Sequence, residues 1–145
     1  MPPRRLALAL AALGAAACGE PAPTSDAAHL PDLVQLDWLR PDGGAATFFV
    51  LVGQGGLRYT PDTLDIRAGD TVRWLFVNAG HNVVSGPLAR PDGRFCSPSD
   101  TLCQNNPPTS SAGVIYEHIF SDPGSYPYFC SVHVGGNMRG DIFVH

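Results

Sequence analysis

Residues 130 to 138 carry three side chains that bind soft metal ions. The stretch reads CSVHVGGNM, in which Cys130 comes first, His133 follows three positions later and Met138 comes last. Met138 is the only methionine besides the initiator, and the intervening glycines permit a tight loop that turns the imidazole and the thioether towards one point. Taken alone the pattern is weak, because a histidine beside an apolar strand is more often structural and a methionine often fills a gap in the core.

The first residues of the chain predict export. Arg4 and Arg5 precede an uncharged run from Leu6 to Ala17, which is too short to span a bilayer as a permanent helix. Cys18 directly follows three alanines and resembles the cysteine of the bacterial lipobox, although Ala15 stands where leucine is usual. The resemblance implies that Cys18 is lipidated and becomes the mature N-terminus. The alternative is ordinary cleavage near the same alanines, which leaves a soluble periplasmic protein.

The number of cysteines strengthens the metal interpretation. Cys96 and Cys103 enclose a short polar loop, CSPSDTLC, and are a natural pair for a disulfide that would contribute about 2.5 kcal/mol in the chain-entropy model. If Cys18 is acylated, Cys130 is left without a partner. An unpaired thiol in an exported chain needs a reason, and metal binding supplies one.

A useful metal site needs a fourth group, and the candidate is His81, which directly follows the turn sequence NAG. Two imidazoles, one thiolate and a weak thioether form the donor set of a trigonal copper centre with a long axial methionine. Soft sulfur suits Cu(I) and imidazole suits Cu(II), so such a site accepts either oxidation state and favours one-electron transfer. A structural zinc site typically has paired cysteines, and haem attachment needs CxxCH, whereas this chain has CSVH.

The elements that must position these residues are predicted to be strands. From Ala45 onward, short apolar or alternating runs are separated by turn residues, and no stretch has a convincing helical period. This pattern predicts a single all-β domain built as an antiparallel sandwich or barrel. The predicted strands are Thr47–Val52, Thr63–Arg67, Thr71–Asn78, Val114–Phe120, Ser125–Cys130 and Asp141–Val144.

Composition divides the chain into segments. Residues 1–18 are the predicted signal with its lipobox cysteine, residues 19–44 are a tether rich in Pro, Ala and Asp, and residues 45–145 are the domain. Residues from about 86 to 112 form a long insertion rich in Pro, Ser, Asp and Asn, which a Cys96–Cys103 disulfide would partly order.

Charge and the remaining polar residues exclude several functions. The chain has no lysine, and nine arginines stand against thirteen acidic residues, which argues against a nucleic-acid surface. Carboxylates are not paired at a spacing for acid and base catalysis, and no serine lies in a nucleophile motif, so an enzyme is not predicted. His118 is expected to be a packed or edge histidine, and His29 and His145 are expected to be solvated.

Residues 57 to 144 resemble the cupredoxins, the type 1 blue copper proteins of the plastocyanin and azurin kind. The resemblance rests on LRYTPDTLDIRAGDTVRWLFVNAGHNVVS and on PGSYPYFCSVHVGGNMRGDIFV, in which the Cys, His and Met spacing equals that of plastocyanin. It implies a Greek-key β-sandwich with antiparallel and mixed strands, which holds one copper ion at one end. The implied ligands are His81, Cys130, His133 and Met138.

The same resemblance assigns roles to neighbouring residues. It implies that Asn82 hydrogen-bonds to the backbone near Ser131 and thereby joins the two ligand segments. It also implies that electrons leave through the exposed edge of His133. The chain departs from the family at Asn137, where glycine is usual, and in the insertion with its two cysteines. Asparagine tolerates a left-handed backbone, so the first departure is mild.

Together these features predict an exported, lipid-anchored, monomeric copper protein that carries electrons and catalyses no reaction. Its partners would be redox proteins, such as a cytochrome or an oxidoreductase, with no nucleic acid and no membrane contact beyond the anchor. One alternative is a periplasmic module for copper delivery, storage or sensing. Another is a plain sandwich that binds proteins, in which Cys130 is merely buried.

Overall fold

The structure, a computed structural model, describes residues 43–104 and 106–145. The predicted signal, the lipidation site Cys18, His29 and nearly all of the predicted tether lie outside these residues. Over the described ranges, no helix has both the length and the apolar character needed to cross a membrane.

The described residues form eight strands in two sheets of four strands each. The strands are β1 (Thr47–Val52), β2 (Tyr59–Thr60), β3 (Thr63–Ile66), β4 (Asp70–Phe76), β5 (Val84–Ser85), β6 (Ile115–Phe120), β7 (Gly124–Phe129) and β8 (Arg139–Val144). The first sheet has the order β2-β1-β4-β6, and the second has the order β3-β8-β7-β5. β1 pairs in parallel with β4 and β3 in parallel with β8, whereas the other pairs are antiparallel.

The chain alternates between the two sheets, so strands that are distant in sequence become neighbours. This arrangement confirms the predicted all-β Greek-key sandwich with mixed strands. β4 shows why these residues form a sandwich, because its side chains alternate between buried and partly exposed. Trp74 in β4 lies at the centre of the core, and the rings packed against it belong to Phe95, Tyr116, Phe120 and Tyr128.

The strands differ from their predicted bounds where pairing overrides local pattern. β2 and β5 have two residues each, too short for an alternating pattern to reveal them. β8 begins at Arg139, two residues earlier than predicted, because Arg139 pairs with Phe129 at the end of β7. β4 ends at Phe76, two residues before the predicted end.

Several strand ends meet at one pole of the sandwich. β7 ends immediately before Cys130, and β8 begins immediately after Met138, so the antiparallel pairing of these two strands holds both residues at the same end. β1 and β4 are parallel and in register, so the turn after β1 and the turn before His81 emerge together. Loops from both sheets therefore lie at this pole.

The insertion occupies the connection between β5 and β6. Cys96 and Cys103 form the predicted disulfide within it, with Cα atoms 5.4 Å apart. The loop that this disulfide closes contains a 3₁₀ turn at Asp100–Leu102, which Ser99 caps by accepting a hydrogen bond from Thr101 N.

Candidate metal centre

The loop between β7 and β8 is closed by its own backbone. Cys130 N donates to Met138 O at 3.0 Å, and His133 N donates to Cys130 O at 3.1 Å. A 3₁₀ turn at Val134–Gly136 follows, and Asn137 ends it with a φ of 54°. Asparagine is among the few residues other than glycine that adopt this left-handed conformation readily, so its presence in place of glycine leaves the turn intact.

His81 is positioned by its backbone and by a glycine in the turn after β1. His81 O accepts a hydrogen bond from Ser110 N at 2.8 Å, which fixes the peptide that carries the imidazole. Gly53, directly after β1, lies against the ring, because a Cβ atom there would be 2.7 Å from His81 Nε2. The ring therefore fits only because residue 53 has no side chain.

The donor atoms of His81, Cys130 and His133 all lie within 4.8 Å of one another. Cys130 Sγ is 3.3 Å from His133 Nδ1, and the two imidazole rings have centroids 4.8 Å apart. Ligands that bind one ion at about 2.0–2.3 Å are themselves separated by no more than about 4.3 Å, so a small inward shift suffices to bring all three onto one metal.

The Nδ1 atom of His81 supplies a second test of whether a metal fits. This atom is buried, and no atom of the described residues hydrogen-bonds to it. A buried nitrogen without a partner is costly, and each such atom needs an explanation. A metal ion bound between His81 and Cys130 would satisfy it, so the residues present fit a metal site.

Met138 is fully buried and belongs to the same core cluster as Cys130. Its backbone N donates to His133 O at 3.4 Å, so the residue closes the loop that carries the other two donors. The structure thus gathers three of the predicted ligands within a few ångströms and places the fourth at the end of the same loop. The identity of the ligands themselves remains a prediction.

Asn82 joins the two segments that carry the candidate ligands. Its side chain accepts from Ser131 N at 2.9 Å and donates to Ser131 Oγ at 2.8 Å. The side-chain amide of Asn82 also donates to Pro107 O at 2.9 Å. The backbone N of Asn82 donates to Cys130 Sγ at 3.5 Å. The predicted hydrogen bond between Asn82 and the backbone near Ser131 is therefore present. Tyr59 OH adds a further bond, because it donates to Asn82 O at 2.6 Å.

Burial sets the protonation of the candidate ligands. It lowers the pKa of His81, and the nearby charge of His133 lowers it further, so the neutral imidazole is favoured and its unprotonated ring nitrogen is available to a metal. Burial also raises the pKa of the Cys130 thiol, although backbone N–H groups from Asn82, Val132 and His133 oppose the shift. The raised pKa favours the protonated thiol, so binding of a metal ion there would displace the proton.

Sequence reasoning missed the residues that support the site from elsewhere in the fold. Four residues that are distant in sequence contact His81 or Asn82, namely Gly53, Tyr59, Pro107 and Ser110. His118 lies apart from the metal centre, as expected, and its Nδ1 is 2.9 Å from Asp100 Oδ2.

Comparison with known proteins agrees with this geometry. A family model described as copper binding proteins of the plastocyanin/azurin family matches residues 46–145, which include all four candidate ligands. The chain belongs to the plastocyanin/azurin family. A plastocyanin of Scenedesmus fuscus is 36% identical over 92 residues, which cover 62% of this chain and 89% of that plastocyanin. A mutant plastocyanin of fern has a TM-score of 0.53 at 27% identity, over 67% of this chain and 99% of the other.

Membership of the plastocyanin/azurin family does not by itself distinguish a carrier from an enzyme. A copper-containing nitrite reductase from Thermus scotoductus SA-01 has a TM-score of 0.50 at 25% identity, over 68% of this chain and 22% of the reductase. The same fold therefore also occurs as part of a larger enzyme, and the fold alone does not determine the function.

Proposed function

We propose that this protein is a single-copper electron carrier in which His81, Cys130, His133 and Met138 hold the ion. The observation that carries the proposal is the convergence of two imidazoles and one thiol within 4.8 Å at a buried pole. Copper bound there would supply one-electron chemistry, because it alternates between Cu(II) and Cu(I).

Electron transfer is fast when the ligands move little between the two oxidation states, and the contacts around the site favour such rigidity. Asn82 is bonded to Ser131 at two points, and Tyr59 fixes the carbonyl of Asn82. Cys130 and Met138 are fully buried, and His81 is only 6% exposed. A site enclosed in this way retains its metal and offers little access to a substrate, which favours a carrier over a copper-delivery module or an enzyme.

His133 is the proposed exit for the electron, because it is partly exposed whereas the other three candidate ligands are buried. Apolar side chains lie beside it. Val132 is 53% exposed, and Leu57 packs against Gly136 in the ligand loop while remaining 46% exposed. A small apolar surface of this kind suits a weak, short-lived contact with a redox partner protein.

The proposal places the protein outside the cytoplasm. The N-terminal sequence supports export, and Cys18 supports a lipid anchor at the cell envelope. A disulfide between Cys96 and Cys103 is consistent with an oxidising compartment. The partners are redox proteins, and the carrier acts as a monomer.

The test is to add Cu(II) to the purified protein and follow its absorption. We expect an intense blue colour that saturates at one copper per chain and bleaches reversibly on addition of one electron. Cys130→Ser should abolish the colour, because the intense absorption requires a thiolate bonded to Cu(II). His145→Gln, in an exposed histidine away from the site, is the matched control and should leave the colour unchanged.

Two results would contradict the proposal. A protein that remains colourless with copper, or a colour that survives in Cys130→Ser, would exclude the proposed ligand set. Rapid loss of copper to a weak chelator, together with slow electron self-exchange, would favour a delivery protein instead.

A further inference from the structure

The peptide that carries His81 and Asn82 runs between two parts of the insertion. We call residues 81–85 the ligand segment and residues 95–97 the first arm. The first arm lies antiparallel to the ligand segment and extends the second sheet beyond β5, with Cys96 opposite Val84. The hydrogen bonds are Ser97 N to Val83 O at 2.9 Å, Val83 N to Ser97 Oγ at 2.9 Å and Ser85 N to Phe95 O at 3.0 Å.

A second arm, residues 107–110, holds the other end of the ligand segment. Ser110 N donates to His81 O at 2.8 Å, and Asn82 Nδ2 donates to Pro107 O at 2.9 Å. The backbone of a candidate ligand and the side chain that ties it to the Cys130 loop are thus both bonded to the insertion. A loop that merely extended the surface would not make these contacts.

The disulfide connects the two arms. Cys96 lies in the first arm, and Cys103 precedes Pro107 by four positions. Both cysteines are buried. The bond therefore shortens the path from one arm to the other and reduces the conformations open to each when the ligand segment is free.

Asp100 fixes the disulfide loop to the body of the sandwich. Its Oδ1 accepts from Tyr116 OH at 2.5 Å and from Cys96 N at 3.1 Å, and its Oδ2 lies 2.9 Å from His118 Nδ1. Tyr116 and His118 both belong to β6, a strand of the first sheet. The loop is thereby held by the sheet opposite the one that its first arm extends.

We propose that the Cys96–Cys103 disulfide positions His81 and Asn82 for metal binding, by holding both arms against the ligand segment, and that its reduction loosens the metal site. This inference rests on the proposed function, because it concerns the same four ligands. The two cysteines are seven positions apart, and neither is a candidate ligand. Their disulfide thus controls how firmly copper is held.

Reduction requires a dithiol as the electron donor. The dithiol gives two electrons and two protons, the S–S bond breaks to two thiols at positions 96 and 103, and the dithiol closes to its own disulfide. The copper ion is neither a reactant nor a product of this step. Loosening follows from the freed arms alone.

Amide hydrogen exchange of the metal-free protein tests the positioning directly. We expect reduction by a dithiol to speed exchange of the Ser97 and Ser110 amides about tenfold or more, since these N–H groups bond the arms to the ligand segment. Faster exchange confined to residues 98–102, with the Ser97 and Ser110 amides unchanged, would overturn the proposal, because both arms would then be held without the disulfide.

Copper release is the second measurement, and it uses the double variant Cys96→Ser/Cys103→Ser so that no dithiol is present to bind copper. We expect release to a chelator to be about 10- to 100-fold faster than in the wild type, with altered absorption bands. Ile66→Ala is the control, because it removes a buried side chain from β3 at the far end of the sandwich and destabilises the fold by a comparable or larger amount. It should leave the absorption bands unchanged.

The outcomes separate the two proposals. A wild-type protein that binds no copper contradicts the proposed function, whereas the exchange measurement still tests the positioning of His81 and Asn82. If the wild type binds copper and the double variant has the same spectrum and release rate, the proposed function stands and the inference is wrong.

Discussion

Asn82 and Ser131 are joined by two hydrogen bonds, one from the backbone N of Ser131 at 2.9 Å and one to its hydroxyl at 2.8 Å. The two residues are 49 positions apart, and each directly follows a candidate metal ligand, His81 or Cys130. The pair therefore sets the distance between the imidazole and the thiol before any metal binds. Rigid spacing of this kind reduces the rearrangement that accompanies a change of oxidation state.

Replacing Asn82 should weaken both the fold and the metal site. Asn82→Ala leaves Ser131 N and Pro107 O without their partner in a buried region, so we expect a loss of about 1–3 kcal/mol in the free energy of unfolding. Copper affinity should fall about 10- to 100-fold. Denaturant unfolding and copper titration measure the two effects. A double-mutant cycle with Ser131→Ala isolates the side-chain bond, and a coupling energy of zero would refute its role.

Gly53 should be intolerant of any side chain. A Cβ atom there would lie 2.7 Å from His81 Nε2, so Gly53→Ala must displace the imidazole. We expect loss or strong weakening of the blue colour. Gly55→Ala is a close control, because both glycines have positive φ, 82° and 70°, but nothing lies within 4 Å of the Cβ position at Gly55. Equal effects of the two substitutions on the copper spectrum would show that backbone strain, not contact with His81, is responsible.

Tyr59 and Tyr126 offer a matched pair of phenol-to-carbonyl hydrogen bonds. Tyr59 OH donates to Asn82 O at 2.6 Å in the buried site, whereas Tyr126 OH donates to Asp122 O at 2.7 Å on the surface. Burial raises the pKa of Tyr59, so its hydroxyl remains a donor at ordinary pH. We expect Tyr59→Phe to cost about 1–3 kcal/mol and Tyr126→Phe about 0.5 kcal/mol or less. Equal costs in thermal or denaturant unfolding would argue against a special role for the Tyr59 bond.

The metal-free protein should lose stability on mild acidification because of His81. Its pKa is lowered in the folded state from an unfolded value of about 6.5, so the unfolded chain binds the proton more tightly. The contribution of His81 to the free energy of unfolding is fully present above about pH 6.5. It is lost as the pH falls from there towards the lowered pKa of the folded state. Unfolding free energies measured across this range should fall less steeply in His81→Gln. A variant with the same slope as the wild type would assign the pH dependence to other groups.

The sandwich could be predicted from the sequence, and three of the candidate ligands could be proposed from it, because the relevant signals are local. Strand alternation in β4 is visible within seven residues, and Cys130, His133 and Met138 lie in one loop. The supporting contacts depend on long-range pairing. Gly53 meets His81 only because β1 and β4 run parallel in register, and Pro107 meets Asn82 only because the insertion folds back. No local sequence pattern encodes these long-range contacts. The roles of Gly53 and Pro107 could therefore not be predicted from the sequence.

The most direct test of the metal centre is a crystal structure of the copper-loaded protein, with anomalous diffraction to locate the metal. We predict one copper peak, bonded to Cys130 Sγ and to one ring nitrogen each of His81 and His133, with Met138 at a longer distance. Other His–carboxylate pairs exist on the surface, at His118 with Asp100 and at His145 with Asp65. Copper at either of these pairs, with no peak beside Cys130, would contradict the account.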